Sequence, residues 1–257
     1  MRLKDKVIIV TGGTSGIGAA IAAAAVREGA KVLVHGINED EGNATVKQLG
    51  PNAVLCIADL MQDSAPEIIV KAALNAFGKI DGLVNNAAIF GGTKISEQDI
   101  EHFRAMIQVN LTAPLFLIKA AFEELKKSGG SVLNIGSINA YAGESKLLAY
   151  SISKGGMQTM TRNLANANGV NGVRVNQINP GWVLTQREER DKIADGAKPG
   201  WPKTLSRTDI PSGAMTTPEA IAEGAIYWLG DESKPFTGSV VELEQFSIIG
   251  RNPEKLG

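Results

Sequence analysis

The stretch Thr11-Gly12-Gly13-Thr14-Ser15-Gly16-Ile17-Gly18 decides how this chain is read. Before it lies an apolar run, Lys6 to Val10, that reads as a buried strand. After it comes an Ala-rich stretch, Ile17 to Glu28, that reads as a helix ending near Gly29. Glycine is needed where a chain turns sharply and where backbone must approach a pyrophosphate or a neighbouring strand. The N-terminus of the helix that follows offers free N–H groups to phosphate. A plain strand-to-helix turn would also use glycines for its geometry. The position of this one, at the first such junction of an alternating chain, favours nucleotide binding.

Outward from that turn the alternation continues. Strands are expected at Lys31 to His35, Val54 to Ile57, Gly82 to Asn85, Ser131 to Ile135, Arg174 to Ile178 and Ser239 to Leu243. A helix is expected after Asn38, whose side chain can cap a first turn carrying Glu39, Asp40 and Glu41. Others are expected over Pro66 to Phe77, over Ile100 to Val109 and Ala113 to Lys127 (broken around Pro114), and over Tyr150 to Asn166. Thr217-Pro218-Glu219 opens a late helix, with Pro at its first position. This pattern predicts an α/β fold, a Rossmann-like doubly wound parallel sheet flanked by helices in a three-layer αβα sandwich. Residues 1–257 read as a single domain. Leu184 to Ser212 is the one long irregular region, polar and charged, with Gly200-Trp201-Pro202 and Ile210-Pro211-Ser212 as breakers. Long excursions inside compact domains are usually functional or mobile, so residues 184–212 are read as a lid over a site.

Composition excludes several classes. Hydrophobic residues make up 44% of the 257, enough for a core, and aromatics only 5%. Plentiful small and β-branched residues suit helices packed closely on a parallel sheet. A net charge of −1 invites neither nucleic acid nor an anionic membrane. The single cysteine, Cys56, has no internal partner and sits in an apolar strand, where it reads as a small buried hydrophobe. A reducing, cytoplasmic setting fits. Met1 to Lys6 leads into a strand and not a signal segment. No apolar stretch is expected to reach the ~18 residues of a membrane span. No metal-ligand set is read.

The phosphate turn has the spacing T-G-x-x-x-G-x-G, which resembles the cofactor turn of the short-chain dehydrogenase/reductase superfamily. Further matches follow in the family's order. Asp59-Leu60 follows the third strand, where the family contacts adenine. Asn85-Asn86-Ala87-Ala88 resembles N-N-A-G, with Ala88 in place of Gly. Asn110 stands where the family has a catalytic asparagine. Ser137 follows the fifth strand, and Tyr150-Ser151-Ile152-Ser153-Lys154 matches Y-x-x-x-K. Asn179-Pro180-Gly181 with Thr185 matches the segment that meets the nicotinamide. The resemblance covers residues about 5 to 185, and the ordered set is far more specific than any one motif. It implies cofactor contacts at Gly12, Thr14, Ser15, Gly16, Ile17, Gly18, Gly36, Asp59, Leu60, Asn86, Ala87, Tyr150, Lys154, Pro180, Gly181, Val183 and Thr185. It also implies hydride transfer on the pro-S side and a homotetramer, or at least a dimer.

Tyr150 and Lys154 are four residues apart on an expected helix, so their side chains share a face. Such a pair is most often an ordinary surface contact; its company here argues for a site. Tyrosine ionises near ~10, too high for a base at neutral pH. A lysine ammonium ~4 Å from the phenolate contributes about 4 kcal/mol at an effective dielectric of ~20, roughly three pK units. Desolvation opposes that shift, so the expectation is a tyrosine lowered in part toward neutrality, passing a proton as hydride moves. The resemblance assigns Ser137 to hold the substrate oxygen, Asn110 to hold a water in a relay with Lys154, and Lys154 to bond the nicotinamide ribose. Asn110 also fits a helix-kink residue near Pro114. Asn139 is a further substrate candidate.

Cofactor preference is less marked. The position where an acid would bind the ribose 2′-hydroxyl falls at Gly36, and the positions for a base that accepts 2′-phosphate fall at Ile37 and Ser15, so neither signature is present. Glu39, Asp40 and Glu41 mildly disfavour a phosphate, so NAD is favoured and NADP tolerated. The substrate is expected to be a small-molecule secondary alcohol or ketone. Trp182, Trp201, Arg187, Arg190 and Arg207 suit sugars, polyols or other polar alcohols, although the two tryptophans fit equally well as anchors of the lid. A 3-oxoacyl thioester or a steroid is the alternative, and a non-catalytic nucleotide-binding regulator is disfavoured because Asn110, Ser137, Tyr150 and Lys154 are all retained. At the end of the chain the family pattern T-G-x-x-x-x-V-D-G-G becomes Thr237-Gly238, then Glu244-Gln245-Phe246. The stretch Phe246 to Leu256 is expected to pack at a subunit interface or to edge a partner's active site.

Overall fold

The computed structural model describes residues 1–91, 95–97, 99–142 and 144–247. Seven strands are found among them: β1 (Val7–Val10), β2 (Lys31–Gly36), β3 (Ala53–Ile57), β4 (Gly82–Asn85), β5 (Ser131–Ile135), β6 (Arg174–Pro180) and β7 (Val240–Leu243). They form one parallel sheet in the order β3-β2-β1-β4-β5-β6-β7. Helices α1 (Gly16–Arg27), α2 (Glu39–Leu49) and α8 (Pro218–Leu229) accompany α3 (Ala65–Phe77), α4 (Ile100–Ile107), α5 (Ala113–Ser128), α6 (Leu148–Asn168) and α7 (Gln186–Ala194).

The apolar strands are explained by burial on both faces. Side chains alternate across a strand, and the core divides accordingly. Ile8, Val10, Val32, Val34 and Val84 join Ile21 and Ala25 of α1 and Ile221 and Leu229 of α8. Ile9, Leu33, Leu83, Val132 and Val175 join Ile69 of α3, Leu117 and Leu125 of α5 and Ala165 of α6. The strand order reverses beside β1, which pairs with β2 on one side and β4 on the other. A crevice opens there at the carboxyl ends of the strands, and Thr11–Gly18 lies in it. The doubly wound α/β sheet expected from the sequence is therefore the observed one.

Four expectations need correction. Leu184 to Ser212 is not wholly irregular, because α7 lies inside it. Thr185 caps that helix by accepting from the Glu188 N–H, with Glu188 and Glu189 in its first turn and Lys192 in its last. None of its residues is buried, so it has no apolar stripe to betray it. The break before α5 lies not at Pro114 but in one wide π-helical turn, Gln108–Thr112, and Pro114 sits in the first turn of α5, where its fixed φ suits the helix. Helix α6 begins at Leu148, two residues early, which places Tyr150 in its first turn. Finally, the helical run Ile100–Ser128 is long and apolar enough by composition to cross a membrane. Polar residues such as Gln108, Asn110 and Thr112 divide it in the sequence. Here it is a core element, with Leu117, Ile118, Ala121 and Leu125 buried.

Candidate active site

The turn after β1 is held from three sides. Thr11 Oγ1 accepts from the Asn86 and Ala87 N–H groups at 2.9 and 3.1 Å, and Asn86 Nδ2 donates to the Thr11 and Gly12 carbonyls. A Cβ on Gly18 would lie 2.1 Å from the Gly12 oxygen and 2.4 Å from Asn86 Nδ2. The glycine therefore exists to admit that amide. Gly12 has φ +60° and its backbone lies against Ala87; Gly16 has φ +54° and faces the Thr185 methyl. Ser15 does not cap α1 with its side chain, and the first turn of α1 has no acid. The cradle suits a pyrophosphate, in its glycine backbone and in the uncapped N–H groups. Thr14 lies over Gly36, where a Cβ would meet its methyl at 2.5 Å. Ile17, in the first turn of α1, packs against the core.

His35 was not anticipated. It is buried at the end of β2, with Nε2 2.9 Å from the Ala58 carbonyl and Nδ1 accepting from the Gly12 N–H at 3.3 Å. These partners require the neutral ring, and burial lowers its pKa in agreement. A polar residue in an otherwise apolar strand was the available signal. Asp59 accepts from the Met61 N–H, and Leu60 turns its side chain into the core. What Leu60 offers a cofactor is its backbone.

The candidate catalytic residues come from three neighbouring elements. Ser137 follows β5 and is nearly buried; its Oγ accepts from the Asn139 N–H at 3.1 Å. That bond occupies an oxygen lone pair and leaves the hydroxyl proton to donate elsewhere, here to the Tyr150 phenol. Asn139 itself is half-buried and reaches only weakly toward Glu144, at 3.5 Å. Lys154 is buried and donates to the Ile135 carbonyl at 2.8 Å. Its ammonium lies 5.7 Å from the centroid of the Tyr150 ring, which Phe90 meets edge-on at 5.0 Å.

Part of Tyr150 is exposed, yet enough protein surrounds the phenol that burial pushes it up to about 12, with a Ser137 hydrogen bond opposing. Burial pulls Lys154 down to about 8. The expected lowering of Tyr150 is thus not delivered by the polypeptide. Desolvation outweighs the Ser137 hydrogen bond, and at neutral pH the tyrosine is a proton donor beside a largely protonated lysine.

Asn110 is completely buried in the wide turn. Its side chain brackets Ile89, accepting from its N–H at 2.8 Å and donating to its carbonyl at 2.9 Å, with Ser153 Oγ at 3.1 Å. It lies in the helix break, but its side chain fastens the loop after β4 to α6. Gly156 makes this approach possible, since a Cβ there would strike the Leu111 side chain at 2.8 Å.

The chain between β6 and α8 closes over this edge. Val183 pairs with Thr216, and the Leu184 N–H bonds the Thr216 carbonyl. Trp182 stacks on Trp201 at 5.5 Å, donates Nε1 to Glu188, and has Lys192 5.4 Å from its ring centroid. Trp201 is buried with Ile210 and Met215. The anchoring role is therefore observed for Trp201, while Trp182 remains half-buried. Arg187 of α7 donates to the Phe90 carbonyl across the site.

The unusual chain end takes part. Glu244 accepts from the Trp182 N–H, and a Cβ on Gly181 would run into its carboxylate. Gln245 accepts from the Ser212 N–H at 2.9 Å and donates to the Ala214 carbonyl at 2.8 Å. The two residues thus tie down both roots of the covering segment. The expected interface role of Phe246 to Leu256 falls on residues 248–256, which lie outside the described residues.

With this geometry in hand, known proteins fall into line. A model of the short chain dehydrogenase family matches residues 6–194. The chain belongs to that family. Among its relatives, the short-chain dehydrogenase resembles the NADP-dependent (R)-specific alcohol dehydrogenase of Lentilactobacillus kefiri, at 33% identity over 93% of this chain and 94% of that one. It is 35% identical to the L-fucose dehydrogenase of Mus musculus over 92% of this chain and 86% of that one. It is 30% identical to the trans-4-hydroxycyclohexanecarboxylate dehydrogenase of Sinomonas cyclohexanicum over 98% and 96%. A solved short chain dehydrogenase/reductase family protein superimposes with a TM-score of 0.82 at 29% identity, covering 94% of this chain and 97% of its own. This short-chain dehydrogenase is accordingly an NAD(P)-dependent oxidoreductase acting on alcohols.

Proposed function

We propose that this short-chain dehydrogenase interconverts a secondary alcohol and a ketone by hydride transfer, with Tyr150 as general acid/base. The observation that carries this is the pairing of a neutral phenol at Tyr150 with the Ser137 hydroxyl hydrogen-bonded to it, two donors that a substrate oxygen between them would share. Both can donate to a carbonyl oxygen, Ser137 to hold it and Tyr150 to protonate it. Lys154, behind them, keeps positive charge near the oxygen and hands protons onward. Pro114 has no N–H to give the Asn110 carbonyl, four residues back, so that oxygen suits a water in the relay. The dinucleotide, when bound, supplies or takes the hydride. Its pyrophosphate would rest on Gly12 to Gly18, its adenosine near Gly36, Asp59, Leu60, Asn86 and Ala87, and its nicotinamide beside Pro180, Gly181, Val183 and Thr185.

NAD is the favoured cofactor in this reading, supported by the acids that open α2, although one relative is named as NADP-dependent. A small polar alcohol suits the polar α7 and the Glu188 and Lys192 partners of Trp182. Relatives named for L-fucose and a hydroxycyclohexanecarboxylate point the same way. The test follows absorbance of the reduced nicotinamide with L-fucose, polyols, trans-4-hydroxycyclohexanecarboxylate, 1-phenylethanol and hydroxysteroids, each with both cofactors. Turnover of a polar alcohol with a kcat/KM for NAD at least equal to that for NADP is expected. A hundredfold NADP preference overturns the cofactor assignment, and a steroid as the sole substrate overturns the substrate class.

Residues 184–212 act as a lid in this proposal, with Gln245 fixing its far root. Gln245→Ala removes two exposed hydrogen bonds, each contributing about 0.5–1.5 kcal/mol. KM for the alcohol should rise by up to about tenfold, with Tm lowered by about 2–4 °C for each kcal/mol lost; an unchanged KM argues against the lid. The exposed apolar side chains of Leu115 and Phe116 on α5 and Ile152 on α6 support assembly into a homotetramer, and light scattering that returns a monomer mass would refute it. A cytoplasmic, reducing location suits the buried free thiol of Cys56.

A further inference from the structure

Helix α6 carries Tyr150 and Lys154, while Ser137 belongs to the loop after β5. Something must fix the distance between them. On the α6 face of the sheet, near the carboxyl ends of the strands, polar side chains replace the apolar core. Asn85, Asn134 and Gln177 stand in register on β4, β5 and β6, with Asn179 two residues beyond Gln177. Opposite them, Lys154, Gln158 and Thr161 share one stripe of α6 at spacings of four and three residues.

These groups make a head-to-tail chain of hydrogen bonds. Asn85 Nδ2 donates to Asn134 Oδ1 at 2.8 Å, and Asn134 Nδ2 donates to Thr161 Oγ1 at 2.8 Å. Thr161 Oγ1 lies 2.9 Å from both Gln177 Oε1 and the Met157 carbonyl, which share its one proton, and Gln177 Nε2 donates to Asn179 Oδ1 at 2.7 Å. Asn179 Nδ2 donates to Gln158 Oε1 at 3.3 Å, and the same Asn179 Oδ1 accepts the Ser137 backbone N–H at 3.0 Å. Every one of these side chains is buried except for the rim of Gln158, which is 8% exposed. Each link fixes the orientation of the next amide, and in a low-dielectric interior such a chain is stiff and mutually polarised. Gly136 shows how close the fit is. A Cβ there would lie 2.0 Å from Asn179 Oδ1 and 2.3 Å from Gln177 Nε2.

We propose that Asn179 is a positioning residue, which holds Ser137 by its backbone N–H and, through Gln158, Gln177 and Thr161, sets Ser137 at a defined distance from the helix that carries Tyr150 and Lys154. The inference rests on the catalytic role proposed above for Ser137. Asn179 touches no reacting atom. It acts through Ser137, so its removal should matter only while the Ser137 hydroxyl is present.

A double-mutant cycle tests this, with the panel alcohol turned over fastest as the probe. Ser137→Ala should lower kcat by about 10²–10³-fold. Asn179→Ala should lower it by about tenfold or more, with the Kd for reduced cofactor, read by titration of protein fluorescence, within about twofold of the parent. In the double variant the Asn179 effect should disappear, leaving kcat at the Ser137→Ala value. If the two losses multiply instead, Asn179 is merely structural and the inference falls while the role of Ser137 stands. If Ser137→Ala leaves kcat unchanged, the proposed role of Ser137 falls and this inference with it. Should Asn179→Ala fail to fold, Asn179→Ser, which keeps a smaller acceptor, enters the same cycle and is judged by the same criterion.

Discussion

Tyr150→Phe should lower kcat by about 10³-fold while leaving the fold and the cofactor Kd intact. General acid–base catalysis by a positioned side chain contributes about 10²–10⁴-fold, and among the described residues Tyr150 is the phenol hydrogen-bonded to Ser137. The ring itself is retained in phenylalanine, so the edge-on contact with Phe90 at 5.0 Å persists and stability should change by less than about 1 kcal/mol. The direction of the pKa shift adds a second readout. Burial holds the phenol protonated, at about 12 within the polypeptide. Ketone reduction uses the protonated form and should therefore be well supported at neutral pH. Alcohol oxidation needs the phenolate, and its kcat should climb with pH through the neutral and alkaline range. Steady-state rates in both directions check this. A Tyr150→Phe enzyme keeping more than about a tenth of parental kcat would sink the assignment.

Why the sequence announces some of this and hides the rest follows from where each piece of information resides. The strands are legible because burial on both faces demands an apolar run, as in Val7–Val10 and in Val32, Leu33 and Val34 of β2. The phosphate turn is legible because a positive φ at Gly12 and Gly16 and the close approach at Gly18 tolerate little except glycine. Helix α7 is hidden because it buries nothing, so no periodicity marks it. The Tyr150 shift is hidden because desolvation depends on what surrounds the phenol, and the i,i+4 spacing to Lys154 shows only the attractive half of the balance.

Gly181 makes the same point at longer range. Its place in a familiar motif suggests a nicotinamide contact, yet the atom that forbids a side chain there belongs to Glu244, sixty-three positions later. The amides on β4, β5 and β6 were visible as polar residues in apolar strands. Which face they occupy, and that Thr161 and Gln158 meet them, depends on the docking of α6. Local geometry is written locally; the spacing between Ser137 and Tyr150 is a property of packed elements, and no single segment carries it.

Lys154→Met should remove most turnover and also reverse an electrostatic cost of the fold. The parent lysine is buried, and its pKa falls from 10.5 to about 8 because burial penalises the charged form. Between those values the unfolded chain holds a proton that the folded chain has released. Stability therefore rises with pH across that window, and below about 8 the full cost of burying the ammonium applies. Tyr150 pulls the other way, since its pKa is raised, but only above its ordinary value of 10.0. Measurements between about pH 8 and 10 thus isolate the lysine. Across those two units the parent should gain about 2–3 kcal/mol relative to Lys154→Met, at 1.36 kcal/mol per pK unit. Groups that titrate identically in both proteins cancel in the difference. Urea unfolding of the two proteins at several pH values gives that difference directly. At pH 7 the variant should equal or exceed the parent in stability, offset in part by the lost hydrogen bond to the Ile135 carbonyl. Parallel stability profiles would mean that Lys154 keeps its ordinary pKa when folded. The charge behind Tyr150 would then be solvated, and the neutral phenol could no longer be attributed to burial of the site.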